Sequence, residues 1–162
     1  MSKRLIGTLL CSALGLLGAS GFAQAEGIGR YECNVVGLAS IDAVGDREGH
    51  QLSSFQFSCF GVDGILKGAV YTASTVSEWD GPQMTQLLTG GVHRAPGGLA
   101  VTQMMVGTGS MISKDGKPAG WETHGKALIK FASGTLAGLA GKTVSYNSKA
   151  TGPNRFTIEF TD

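Results

Sequence analysis

The sequence predicts an all-β domain, a small antiparallel β-barrel of about eight strands, with a β-sandwich as the alternative. Three observations carry this expectation. Apolar and polar residues alternate with period two in one run after another, which turns one face of each run toward a core. Beyond the first 25 residues no segment shows a sustained helical period with caps. Glycine supplies 26 of the 162 residues, roughly twice the usual ~7%, and follows no collagen-like period. Gly68, Gly107, Gly109, Gly125 and Gly134 lie inside or beside strand-like runs, where glycine marks the bulges and bends that a closing sheet needs. Closure also removes exposed sheet edges, an advantage for a chain of which only 15% is charged.

The first element is an export signal. In Met1–Ala25, Lys3 and Arg4 form a positive n-region, Leu5–Gly18 is apolar, and Ala23-Gln24-Ala25 is a small-x-small cleavage site. The apolar run is shorter than the ~20 residues of a membrane anchor, so no span is expected in the mature chain. Cys11 follows Leu10, where a lipoprotein signal wants Gly or Ala. The layout looks bacterial and implies the periplasm or full secretion. The expected organisation is a signal peptide at 1–25 and a single barrel domain at 26–162. Cleavage lowers Lys plus Arg from 13 to 11 against 12 Asp plus Glu, a formal charge of −1. That leaves no basic excess for a phosphate backbone, so no nucleic-acid partner is expected.

Cleavage also takes Cys11, leaving Cys33 and Cys59 of the 3 cysteines. An even count in an oxidising compartment reads as one disulfide, against the alternative of two buried thiols. Closing a loop of about 26 residues is worth ~3.5 kcal/mol in the chain-entropy model. Tyr31, Cys33 and Val35 share one face of a first strand, and Phe55, Phe57 and Cys59 one face of a second, so both cysteines face the core. Further strands are expected at Ile65–Ser74, Leu99–Val106, Ser110–Ser113 and Gly120–Phe131. Met84–Leu88, between Pro82 and Gly90-Gly91, reads as a short helix or irregular loop. Val144 and Tyr146 alternate with Thr143, Ser145 and Asn147. Phe156, Ile158 and Phe160 then alternate with Thr157, Glu159 and Thr161, and Gly152-Pro153-Asn154 makes the hairpin turn between them.

From Gly120 the chain runs GWETHGKALIKFASGTLAGLAGKTVSYNSKATGPNRFTIEF. These residues resemble small exported bacterial barrel proteins of uncharacterised function, similar in architecture to the allene oxide cyclase and dirigent barrels of the calycin-like group. The resemblance implies a pocket for a small hydrophobic molecule; it implies no reaction, and no catalytic motif of those families matches here. The lipocalin Gly-x-Trp signature is present only as Gly29-Arg30-Tyr31.

Few residues point to chemistry. Glu122 and His124 share one strand face and would make an acid–base pair if turned inward, but Trp121 and Thr123 on the other face are the more natural interior residues. His50, after Asp46-Arg47-Glu48-Gly49, reads as a solvated residue of a charged turn. Glu78-Trp79-Asp80-Gly81 reads as a turn whose carboxylates point into water, or as a site for a cation or sugar. No HExxH, CxxC, CxxCH or Gly-x-Ser-x-Gly motif occurs, and Gly107-Thr108-Gly109 precedes no helix, so neither metal nor cofactor is expected.

The candidate ligand-binding residues are His93, Arg94, Met104 and Met105. Gly90–Gly98 reads as a loop with glycine pairs at both ends, either an ordinary connector or a lid at the barrel mouth. His93 and Arg94 would meet a carboxylate on an apolar ligand there. Met104 and Met105 would join Met84, Met111, Leu87, Leu88 and Val106 in a soft lining, or else fill the core. The expected function is an exported barrel binding a small apolar or aromatic molecule. A cofactor-independent isomerase or cyclase of the same fold and a filled structural barrel are the rivals. An internal cavity separates the filled barrel from the other two, and inward ionisable groups separate enzyme from binder.

Overall fold

The computed structural model describes Gly27–Asp162; the signal-peptide assignment to 1–25 and Cys11 lie outside the described residues. These residues form eight strands: β1 (Gly27–Ala43), β2 (His50–Gly61), β3 (Val70–Asp80), β4 (Gln83–Ala95), β5 (Gly98–Lys114), β6 (Lys117–Gly134), β7 (Thr143–Gly152) and β8 (Arg155–Thr161). Each pairs antiparallel with the next, and β8 returns to β1, giving a closed up-and-down barrel rather than a sandwich. Gly29 lies opposite Phe160 and Cys33 opposite Phe156 at the closing seam.

Alternation decides what enters the barrel. Tyr31, Cys33, Phe57, Cys59, Val144, Tyr146, Phe156, Ile158 and Phe160 are all buried, while Glu32, Asn34, Lys149 and Glu159 on the opposite faces are exposed. Cys33 and Cys59 are direct cross-strand partners and form a disulfide, with Cα atoms 3.9 Å apart. The β7–β8 hairpin turns at Pro153-Asn154 as expected, with Asn154 at φ 56°.

Up-and-down topology gives the barrel two different ends. At one end the β2–β3 and β6–β7 connections fold inward. Leu66, Leu136 and Leu139 plug this end and pack with Ile28, leaving a void of about 10 Å³, room for one water at most. The other end carries the β1–β2, β3–β4, β5–β6 and β7–β8 hairpins, none of which covers it. It is the mouth.

Four expectations are corrected. Ile65–Gly68 is part of the β2–β3 connection, because Gly64 and Gly68 take positive φ (63° and 78°) and swing Leu66 into the plug. Leu99–Val106 and Ser110–Ser113 are one strand, β5, running through Gly107 and Gly109. Met84–Leu88 is neither helix nor loop but the start of β4, with Met84 buried and Leu87 and Leu88 exposed. Gly90–Gly98 is no lid: Gly90–Ala95 ends β4, Pro96-Gly97 is a two-residue turn and Gly98 opens β5. That turn also lies at the plugged end. Ladder bonds hold Gly90, Gly91 and Gly98 in strand backbone, and Gly97 uses its freedom, at φ 74°, to make the tight turn rather than a hinge.

Two stability measurements follow. Cys33→Ser with Cys59→Ser should lower the urea-unfolding free energy by about 3 kcal/mol; an unchanged midpoint would remove the disulfide from the stabilising terms. Ile158→Asp places an unpaired carboxylate in the core and should abolish cooperative folding, whereas Glu159→Lys, on the exposed face, should stay within about 0.5 kcal/mol of the parent. Equal effects would mean that the β8 register is wrong.

Candidate functional site

The interior changes character from plug to mouth. Along β3 the inward residues run Tyr71, Ala73, Thr75, Ser77, Trp79; along β7 they run Val144, Tyr146, Ser148. Small hydroxyls therefore follow the large side chains of the plugged half, with Trp79 beyond them at the mouth. An eight-stranded barrel is just wide enough for side chains to fill, so shortening them opens space.

The plugged half is solid. His93 is 3% exposed and its ring lies parallel to that of Tyr71, with centroids 3.9 Å apart. Its Nδ1 is 2.8 Å from the Tyr31 hydroxyl and its Nε2 2.6 Å from Thr102 Oγ1. Those contacts suit a neutral imidazole, in which one nitrogen donates and the other accepts. Burial pushes the His93 pKa down to about 3 and also raises those of Tyr31 and Tyr71, with Tyr71 a second cause for Tyr31 and Tyr146 for Tyr71. His93 is thus a neutral core histidine bridging β1 and β5.

The mouth half is hollow. Phe55, Phe57 and Phe156 form one aromatic wall, with Phe57 and Phe156 centroids 5.2 Å apart, and Trp121 packs on Phe156 at 5.3 Å. Trp79 stands near the mouth and donates its indole N–H to Ser53 Oγ at 3.0 Å. Met84 and Met104 complete the apolar lining, and Ser53, Ser77, Thr123 and Ser148 supply hydroxyls. Ser148 is 7% exposed, and its Oγ has no hydrogen-bond partner among the described residues. Tyr146 donates to Gln86 Oε1; burial raises its pKa to about 12. Gly107 and Gly125 make this contact possible, because a Cβ at either position would collide with the Tyr146 hydroxyl or the backbone beside it.

The cavity has a volume of about 50 Å³. That is about a third of the ~150 Å³ apolar cavity that takes up a benzene. Among the described residues that line it, none is Asp, Glu, Lys, Arg or His.

The candidate residues do not come together. Met104 faces the cavity and His93 the solid half, while Arg94 and Met105 are exposed on the outer wall, Arg94 donating to Thr72 Oγ1 at 3.2 Å. Successive residues of a strand point to opposite faces, so adjacent pairs split. Met111 is likewise outside. Glu122 and His124 face solvent and Trp121 and Thr123 the interior. Of the residues that line the cavity, Trp79 read as part of a turn, whereas Phe55, Phe57, Trp121, Thr123 and Phe156 were legible as inward by alternation. The hollow itself was not, because it depends on how eight inward rows add up.

His50 is not solvated. It is 9% exposed, with Nδ1 on Asp46 and Nε2 2.8 Å from Glu78. Arg47 reaches Asp80 at 2.9 Å. Glu78 and Asp80 therefore point together onto the β1–β2 connection, with the Asp80 side chain still 62% exposed. The Asp46 hydrogen bond raises the His50 pKa, helped by Glu78, and lowers that of Asp46. A histidine bridging two carboxylates is a strut between hairpins, and no group of three or more His, Cys, Asp or Glu among the described residues is arranged to hold a metal ion. No helix among them is long and apolar enough to cross a membrane. No family model, curated protein or solved structure matches the chain.

The two histidines give opposite pH dependences. The unfolded His93 imidazole protonates near its ordinary 6.5 and the folded one only near about 3, so unfolding takes up a proton between those values and stability falls as pH falls. Across the whole window this amounts to about 4 kcal/mol. His50, with its raised folded pKa, contributes stability below 6.5 that is lost as pH rises through the folded value. Urea unfolding at a series of pH values should show the acid slope in the parent and in His50→Gln, and a clearly shallower one in His93→Phe. An identical slope in His93→Phe would show that His93 is not the group responsible.

Proposed function

We propose that this chain is an exported, periplasmic or secreted binding protein that holds a small neutral aromatic molecule in the mouth half of its barrel. The observation that carries the reading is the hollow itself: aromatic walls, inward hydroxyls, an unpartnered buried Ser148 Oγ and no charged lining group. Burying an ionised group against such a lining costs far more than burying a neutral one. The occupant is therefore uncharged, and the carboxylate ligand expected from His93 and Arg94 is not retained, since Arg94 lies on the outer wall. A hollow this small, walled by rings and open at the mouth, favours a single-ring phenol or aromatic carbonyl over a fatty chain. The cross-strand disulfide supports export, since such bonds persist in oxidising compartments. An internal cavity in an eight-stranded barrel fits the resemblance to allene oxide cyclase and dirigent barrels. A binder is favoured over an acid–base enzyme because the ionisable group facing the cavity is Tyr146, which burial keeps protonated.

The test is ¹⁹F NMR titration with three single-ring probes. 4-Fluorophenol should bind, fluorobenzene more weakly, and 4-fluorobenzoate at neutral pH not measurably. Ser148→Ala should reduce the preference for the phenol over fluorobenzene by roughly fivefold, the worth of one hydrogen bond. No binding of any neutral probe, or benzoate binding as well as phenol, would overturn the reading.

A further inference from the structure

The closed barrel wall has an interrupted ladder between β4 and β5. Along most of the β4–β5 seam the residues are paired, from Gln83↔Ser110 to Thr85↔Thr108 and again from Gly90↔Gln103 to Ala95↔Gly98. Between these stretches, residues 86–89 of β4 and 104–107 of β5 have no partners across the seam. The gap is equal on both strands, so register is kept while the ladder opens. Both strands bulge at this level. The register of β4 against β3 slips between Val76 and Ser77, around Leu87, and that of β5 against β6 slips between Met104 and Val106, around Met105.

One side-chain bond passes behind the split, from Tyr146 of β7 over Gly125 and Gly107 to Gln86 of β4; the others tie β4 to itself and to β3. Thr89 Oγ1 donates to the Leu88 carbonyl at 2.8 Å and lies 2.6 Å from Thr75 Oγ1. The Gln86 amide reaches Thr89 Oγ1 at 3.4 Å and accepts from the Tyr146 hydroxyl through its oxygen. Outside, the split is flanked by Leu87, Leu88, Met105 and Val106, which are 48%, 69%, 62% and 56% exposed. Outward positions of such strands are ordinarily polar. A surface depression of about 380 Å³ over the split includes Leu87 and Leu88, and shares Thr75, Thr89 and Met104 with the interior cavity. The mouth, by contrast, is bordered by the charged Asp46–Arg47–His50–Glu78–Asp80 cluster.

We propose that the β4–β5 split is a lateral portal through which a small neutral aromatic molecule reaches the cavity, with the Gln86–Tyr146 hydrogen bond as its latch. The proposal rests on reading the cavity as a ligand site. The apolar flank gives the molecule a surface on which to shed water beside the split. Parting the latch requires side-chain rotation only, since no ladder bond crosses the split. A portal lies on the path and not in the bound state, so altering its flank changes the association and dissociation rates by the same factor and leaves Kd alone.

The experiment measures exchange of 4-fluorophenol by ¹⁹F NMR line shape. Leu88→Lys with Val106→Glu places opposite charges on the flank, outside the cavity. It should slow both rates roughly tenfold, with Kd within about twofold, and Leu88→Lys alone should act in the same direction. Phe131→Lys, exposed on β6 and away from the unpaired stretch, should change neither rate. Unchanged rates in both flank variants would overturn the portal while leaving the cavity reading intact. So would a change confined to dissociation and Kd, which would make the flank part of the binding wall. No binding of 4-fluorophenol to the unsubstituted protein would overturn the cavity reading and the portal with it.

Discussion

The structure depends on one geometric constraint: eight strands closed by the β1–β8 pairing leave an interior about one side chain deep on each side. Within that width nothing besides side-chain size determines whether the barrel is solid or hollow. Tyr31, Tyr71, His93 and Phe160 fill the plugged half and meet at centroid distances of 3.9–6.3 Å. Toward the mouth the same inward rows carry Ser53, Thr75, Ser77, Thr123 and Ser148, which are too short to meet across the axis. The hollow is therefore built by substituting hydroxyls for rings along continuous strands. The rigid half holds the walls of the open half apart.

Legibility in the sequence follows the strength of alternation. Phe156, Ile158 and Phe160, Phe55 and Phe57, and the two cysteines are large or distinctive residues separated by polar ones, and their faces were readable. β4 was not readable: Gln83–Ala95 carries Gly90-Gly91, the adjacent outward pair Leu87-Leu88 and the inward polar residues Thr89 and His93. Its pattern is inverted for half its length because it lines a polar stretch of the interior and flanks an apolar patch outside. Local pattern rules assume a dry core and a wet exterior, and they fail where the barrel departs from both. His50 was misread for a different reason. Its partner Glu78 sits on the next strand, and that approach follows from the β2–β3 register, which spacing along the chain does not reveal.

Charge is sorted as strictly as size. Among the described residues the acidic and basic side chains lie on the outer face or in the connections, and the buried imidazole of His93 is held neutral by desolvation. With 15% charged residues, the chain keeps its few ion pairs at places that need bracing, such as the strut between the β1–β2 hairpin and β3. Exposed pairs of this kind add little stability individually. Their arrangement around His50 is better understood as fixing the position of one hairpin against its neighbour.

That sorting bears on how the interior discriminates between molecules. A lining without charge cannot attract an anion or a cation, but it rejects both through the desolvation each would suffer. Affinity then has to come from ring contacts with Phe55, Phe156 and the tryptophans, and from hydroxyls that accept or donate as the guest requires. Serine and threonine hydroxyls rotate freely, so such a lining distinguishes neutral from charged guests sharply and one neutral polar ring from another weakly. Tyr146 differs from the other hydroxyls in this respect. Its proton is committed to Gln86, and a guest that draws it away must also part the contact that crosses behind the β4–β5 split. If a guest occupies the hollow as proposed, occupancy of the cavity and opening of its wall meet at one hydrogen bond, since the group that lines the hollow is also the group that reaches behind the split.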